Sequence, residues 1–267
     1  MHFSLAALVF ATSALAHMQL VYPPPFGAAN NPRLTDAADE RLQFPYDCCG
    51  RKDIYPCRGY LKQLGTPQGA PVATWAAGSK QNFNMTGIGN HYGGSCQVGF
   101  SVDKGKTFQV ATSWEGNCPH RKGGQDTSLQ NFDFNIPADI PTGDVIFAWT
   151  WFNREQEFNM NCAAITITPG DGTASAPAPS AVTSNLAAAS PSQAPNLRYS
   201  RALSDRAATG PVPYAQRPDF LVADTDNGCT TVRGVAEVKY PNPGPNVVMG
   251  DGEYPLALPT PAEKCGY

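Results

Sequence analysis

Charge is scarce in this sequence of 267 residues: only 15% are Asp, Glu, Lys or Arg, and the net charge is −3. Without a basic field there is nothing to hold a nucleic-acid backbone or an anionic membrane surface. After residue 16 no apolar run approaches the ~18 residues that a spanning helix requires, so no membrane partner is expected. A zinc framework is missing too. Eight cysteines are present, yet no C-x2-C pair recurs among Cys48, Cys49, Cys57, Cys96, Cys118 and Cys162. Convincing helical periodicity is absent, and histidine is rare, with four in the whole sequence.

What is present begins with an apolar run from Leu5 to Phe10, followed by Ala14-Leu15-Ala16. Small residues at Ala14 and Ala16 make an A-x-A-like cleavage site, so residues 1–16 read as a signal peptide. The expected mature chain starts at His17 and is secreted to the extracellular space. Its n-region is poor in positive charge, with only His2, but the cysteines agree with export. All of them follow residue 16, and their even number suits a disulfide framework in an oxidising compartment. Six would bridge one domain, with connectivity left open, while Cys229 and Cys265 would close a separate C-terminal one.

From 17 to 169 the pattern is β. Cys96, Val98, Phe100 and Val102 alternate; a turn at Asp103-Lys104-Gly105-Lys106 follows; Phe108, Val110, Thr112 and Trp114 alternate again, as in a hairpin. Phe132, Phe134 and Ile136 give a half-buried strand. Val145 to Phe152 is apolar on both parities, as in a central strand covered on both faces. Further strands are expected at Met18–Tyr22, Val72–Met85 and Ala163–Thr168. The fold class is therefore all-β, an immunoglobulin/fibronectin-like β-sandwich, with 27–65 as a long disulfide-pinned loop. Residues 170–217 are rich in Ala, Pro and Ser and read as a disordered linker. Residues 218–267 read as a small disulfide-stapled C-terminal module, or as a tail with one incidental bridge. Asn84-Met85-Thr86 is an N-glycosylation sequon.

A mature N-terminal His17 would offer a metal its free amine and its ring nitrogen Nδ1 as one chelate. The reference pKa values of these groups, roughly 7.7–8.0 and roughly 6.5, make both far easier to deprotonate than lysine. Copper(II) heads the divalent affinity order for such ligands. By itself a histidine after a cleavage site is a weak signal. A second ligand is offered by His91, on the glycine-rich stretch Gly87-Ile88-Gly89-Asn90-His91-Tyr92-Gly93-Gly94. Its plain alternative is an exposed loop histidine. His120, flanked by Arg121 and Lys122, reads as a surface residue held in reserve.

A mature N-terminal His, a loop His followed by Gly-Gly-Ser-Cys-Gln-Val, and Ala148-Trp149-Thr150-Trp151-Phe152-Asn153-Arg154 with Met160-Asn161-Cys162-Ala163 resemble the lytic polysaccharide monooxygenases. Auxiliary activity family 11, the fungal chitin-active group, is the best match, over residues 17–169. The C-terminal stretch, with Cys229, Pro243-Gly244-Pro245 and Cys265, is similar to the small module often appended there and suspected of binding chitin. The resemblance implies a monomer in which His17 and His91 brace one copper ion, with O2 or H2O2 as cosubstrate and an external electron donor. Its implied substrate is insoluble crystalline chitin, cleaved oxidatively at C1, and it implies methylation of His17 on Nε2. Glu157 matches the family's carboxylate near the metal, which positions the oxidant and passes protons. One departure lies close by. The family has Glu-x-Tyr-Met-Asn-Cys where this chain has Glu157-Phe158-Asn159-Met160-Asn161-Cys162, so Asn159 takes the place of an axial Tyr. Strand alternation puts Phe158 on the opposite face from Glu157 and Asn159. The alternatives are a non-catalytic copper-binding relative acting in the cell wall or in metal scavenging, and a wall protein in which neither histidine acts.

Overall fold

A computed structural model describes residues 17–170 and 212–267. The expected signal peptide, 1–16, and most of the expected linker, 171–211, lie outside the described residues. The strands run in order as β1 (Met18–Tyr22), β2 (Asp47–Cys48), β3 (Arg51–Lys52), β4 (Ala73–Ala76), β5 (Lys80–Gly87), β6 (Ser95–Ser101) and β7 (Gln109–Glu115). After them come β8 (Asn131–Asn135), β9 (Gly143–Phe152), β10 (Phe158–Thr168), β11 (Glu237–Val238), β12 (Val247–Met249) and β13 (Leu256–Ala257). One sheet has the order β1-β5-β8 and the other β12-β7-β6-β9-β10-β4, with β11-β13 and β2-β3 as small pairs. The fold is an all-β sandwich, as the alternation requires. No helix among the described residues is long and apolar enough to cross a membrane.

β9 lies centrally in the large sheet, between β6 and β10, and is covered on both faces. Its odd-numbered residues Val145, Phe147, Trp149 and Trp151 enter the core between the sheets, with Leu20, Phe83, Met85, Phe132 and Phe134 opposite. Its even-numbered residues Ile146, Ala148 and Phe152 face a second core with Met160, Cys162 and Ala164. That outer face is covered by Phe26 and Cys57 from the long loop and by Phe220, Leu221 and Tyr240 from the C-terminal stretch.

Two strand expectations need correction. Val72–Met85 is two strands, not one: β4 pairs in parallel with β10, while β5 crosses to the small sheet. The turn between them carries Gly78 at φ 76°, a conformation open to glycine. The last strand starts at Phe158 rather than Ala163, because β10 pairs with β9 along its whole length. Loop 27–65 behaves as expected, holding only the β2-β3 pair and short 3-10 turns.

The cysteines pair as Cys48–Cys49, Cys57–Cys162, Cys96–Cys118 and Cys229–Cys265. The C-terminal stretch lies against the sandwich. Tyr214, placed by sequence in the linker, is buried in the main core and donates its hydroxyl to the Phe100 carbonyl at 2.8 Å. β12 adds to the large sheet in parallel with β7. The physical reason is the open face of β6, β9 and β10: covering it with Phe220 and Tyr240 removes on the order of 150–250 Å² per ring from water. His120 is also not the surface residue expected. It stacks on Phe132 with centroids 4.2 Å apart, and burial lowers its pKa.

Candidate metal centre

Backbone register brings the two candidate histidines together. Met18 of β1 pairs with Gly87 of β5, and the Ile88 amide donates to the His17 carbonyl at 2.9 Å. A Cβ on Gly87 would sit 1.9 Å from that carbonyl oxygen, so the approach needs glycine. From there the chain reaches His91 in a few residues, and His91, Tyr92, Gly93 and Gly94 all take positive φ, at 45°, 58°, 111° and 117°. Trp151 donates from Nε1 to the Gly93 carbonyl at 3.0 Å, and Asn90 donates to the carbonyls of His120 and Arg121, both at 2.9 Å.

The rings of His17 and His91 meet edge to face, with centroids 5.8 Å apart and planes at 89°. Glu157 joins them: its Oε2 lies 3.4 Å from His91 Nε2, and one ligand atom from each of the three falls within 4.8 Å of the others. Asn153 fixes the carboxylate, donating from Nδ2 to Oε2 at 2.6 Å and accepting the Glu157 amide at 3.2 Å. Burial raises the Glu157 pKa above the usual carboxylate value, with the Asn153 hydrogen bond pulling the other way.

His17 is 2% exposed and packs on Phe44 at 4.8 Å. Burial, with a contribution from the charge of His91, lowers its pKa to about 4, so the ring is neutral in mild acid. Its Nδ1 is buried without a hydrogen-bond partner. Buried polar atoms are rarely left so, and a neutral imidazole nitrogen beside a second imidazole and a carboxylate fits a bound metal ion. A rival cluster is His17 with Cys48 and Cys49, the Cys48 sulfur lying 3.7 Å from His17 Nε2. Those two cysteines are joined to each other, so neither offers the thiolate that metal binding needs.

Asn159 is fully buried, and neither its Oδ1 nor its Nδ2 has a hydrogen-bond partner. Two residues further on, Asn161 accepts the Leu20 amide of β1 at 2.8 Å. Two residues before, Glu157 stands at His91. Period-two alternation therefore sets Asn159 on the β1 side of β10, between these two contacts. Phe158 faces away into the outer core, 5.1 Å from Phe152.

No protein-family model matches the sequence. Among curated proteins, the AA11 family lytic polysaccharide monooxygenase A of Aspergillus fumigatus is 34% identical over 230 residues, which is 85% of this chain and 83% of that protein. The chain belongs to the AA11 family of lytic polysaccharide monooxygenases. A second AA11 member, from Aspergillus oryzae, is 30% identical over 90% of this chain, which spans about half (49%) of that longer protein. Among solved structures, a polysaccharide monooxygenase described as CBM33 aligns over 57% of this chain and all (100%) of its own at 13% identity, with a TM-score of 0.36.

Copper is the metal that AA11 membership implies, and the donor set described above fits it. Several neighbours of the site escaped the sequence reading. Phe44 and Cys48 sit against His17. Trp151 lies 5.9 Å from His91, and Asn153 holds Glu157. The last two are part of the Trp-Phe-Asn run that signalled the family, so their positions were in hand but their partners were not.

Proposed function

We propose that this AA11 chain is a secreted, copper-dependent monooxygenase that begins at His17 and cleaves β-1,4 linkages of crystalline chitin oxidatively at C1. O2 or H2O2 would be the cosubstrate, with an external electron donor, and the protein would act as a monomer. The observation that carries this reading is the edge-to-face pair of His17 and His91 with the unpartnered Nδ1 of His17. In the mature chain the His17 amine would stand beside that nitrogen, and His91 would close the three-nitrogen set. Copper held there supplies one-electron oxidising chemistry strong enough for a sugar C–H bond. Glu157, with its raised pKa and its fixed Oε2, can hold a proton at the site and return it. Tyr92, next to His91 and 71% exposed, presents a ring to a flat polysaccharide face.

Copper-loaded full chain, incubated with ascorbate and β-chitin, should release C1-oxidised chito-oligosaccharides detectable by mass spectrometry, and His91→Ala should release none. Intact-mass analysis of the secreted protein should give His17 as the first residue; another start would remove the amine ligand. A second reading is favoured by Asn159, which brings an amide in place of a phenol: a copper-binding relative that does not oxidise polysaccharide. Tight copper binding without oxidised products from any chitin form would establish that reading.

A further inference from the structure

The C-terminal stretch contributes one buried carboxylate to the underside of the His91 loop. Glu237, in β11, has a side chain 1% exposed. Its Oε1 accepts the Gly94 amide at 2.8 Å, the Asn117 amide at 3.0 Å and Nη1 of Arg121 at 3.0 Å. Its Oε2 accepts Nη2 of Arg121 at 3.3 Å. Arg121 also donates to the Tyr92 carbonyl and is paired from outside by Asp251, Nη2 to Oδ1 at 2.5 Å. Both bonds to the loop therefore fall on residues that flank His91 closely.

The fit is tight. A Cβ on Gly93 would lie 2.6 Å from Glu237 Oε1, and one on Gly116 would lie 2.7 Å from Oε2. Burying a charge is unfavourable unless it is paired and hydrogen-bonded, and here Glu237 is met by Gly94 of the His91 loop and by Asn117 and Arg121 of the segment after β7. That loop needs external support, because His91 and Tyr92 are non-glycine residues in the left-handed region. β11 is itself fixed, by pairing with β13 and by Ser95, whose hydroxyl donates to the Val238 carbonyl at 2.7 Å.

We propose that Glu237 is a positioning residue for His91: through Gly94, and through Arg121 on the Tyr92 carbonyl, the C-terminal stretch holds the His91 ring in register with His17. The inference rests on the copper reading for its metal readouts and stands apart from it in the metal-free chain. The test uses the full chain starting at His17. Glu237→Ala should weaken copper(II) binding by roughly 10–100-fold, the range typical when a partner behind a ligand is removed, and should alter the copper EPR spectrum. Glu237→Gln keeps an acceptor for Gly94 but loses the ion pair that fixes Arg121 on the Tyr92 carbonyl, so it should recover only part of that affinity and leave the His91 ring shifted. Tyr214→Ala, a destabilised control in the main core, should melt lower yet bind copper as the parent does. Wild-type affinity and spectrum in Glu237→Ala, or an equal affinity loss in Tyr214→Ala, would overturn the proposal. Should Glu237→Ala fail to fold, Glu237→Gln decides: a displaced His91 ring signal in the NMR spectrum of the metal-free chain supports the clamp, and an unmoved one refutes it. If the parent chain binds no copper at all, the copper reading fails, and the same metal-free ring signal still judges Glu237.

Discussion

With a pKa of about 4 in the folded chain against an ordinary 6.5, the His17 ring refuses a proton that the unfolded chain accepts. Its contribution to stability is therefore complete above pH ~6.5 and shrinks as pH falls toward ~4, since the unfolded state binds more protons across that window. Titration of the ring by NMR in the metal-free chain should show a midpoint near 4. Copper affinity should fall with acid as well. Its first competitor is the terminal amine, with a reference pKa of roughly 7.7–8.0, while the His17 ring adds a second proton only much lower. Calorimetric titration between neutral and mildly acidic pH checks this, and a pH-independent affinity would contradict a chelate built on the amine. Asn159 invites the opposite kind of test. Two buried amide atoms without partners are costly, by about 1–3 kcal/mol, so the near-isosteric Asn159→Leu should raise the melting temperature of the metal-free chain. Asn159→Tyr should change the copper EPR spectrum; identical spectra would place the side chain away from the metal.

At the scale of elements, the site depends on β1, β5 and the β9-β10 corner arriving in one register. Asn153 sits at that corner, and Asn153→Ala should free the Glu157 carboxylate and lower the rate of polysaccharide oxidation by roughly 10–100-fold, with copper bound as before. Product release measured over time decides it. Cys57–Cys162 ties the long loop to β10 across a separation of 105 residues. Replacing both by Ser should cost about 2–5 kcal/mol by denaturant titration, the usual range for a native disulfide. Much of this layer was legible in the sequence. Alternation gave the β6-β7 hairpin and the double-sided β9, and the Trp-Phe-Asn run pointed to the family. The crossing of β5 to the other sheet was not legible, because alternation reads the same in β4 and β5 and only the Gly78 turn separates them. Nor was the disulfide pattern, since spacing alone does not choose among partners. Glu237 could have been noticed as a lone carboxylate within Val235-Ala236-Glu237-Val238, but its partners come from residues over a hundred positions away.

Across the whole molecule, the outer face of the large sheet and the buried carboxylate under the His91 loop both depend on residues 212–267. The sequence reads there as a small disulfide-stapled module, because apolar residues such as Phe220, Val238 and Tyr240 return with two cysteines after the Ala-, Pro- and Ser-rich segment. Their partners are instead Val110, Ala148, Phe152 and Ala164 of the sandwich. We expect residues 17–170 expressed alone to lack a cooperative thermal transition, and co-expression with 212–267 to restore one.

Both described stretches end on the same body: Ala77 donates to Thr168 just before residue 170, and Tyr214 is anchored at Phe100 just after residue 212. No disulfide joins one stretch to the other, so apart from the chain between them the two are held by packing, hydrogen bonds and ion pairs such as Arg121–Glu237. A tryptic nick at Arg198, Arg201 or Arg206 would thus yield two bands on a denaturing gel and a single peak in native chromatography. Such an enzyme could be severed during its working life and go on behaving as an intact particle.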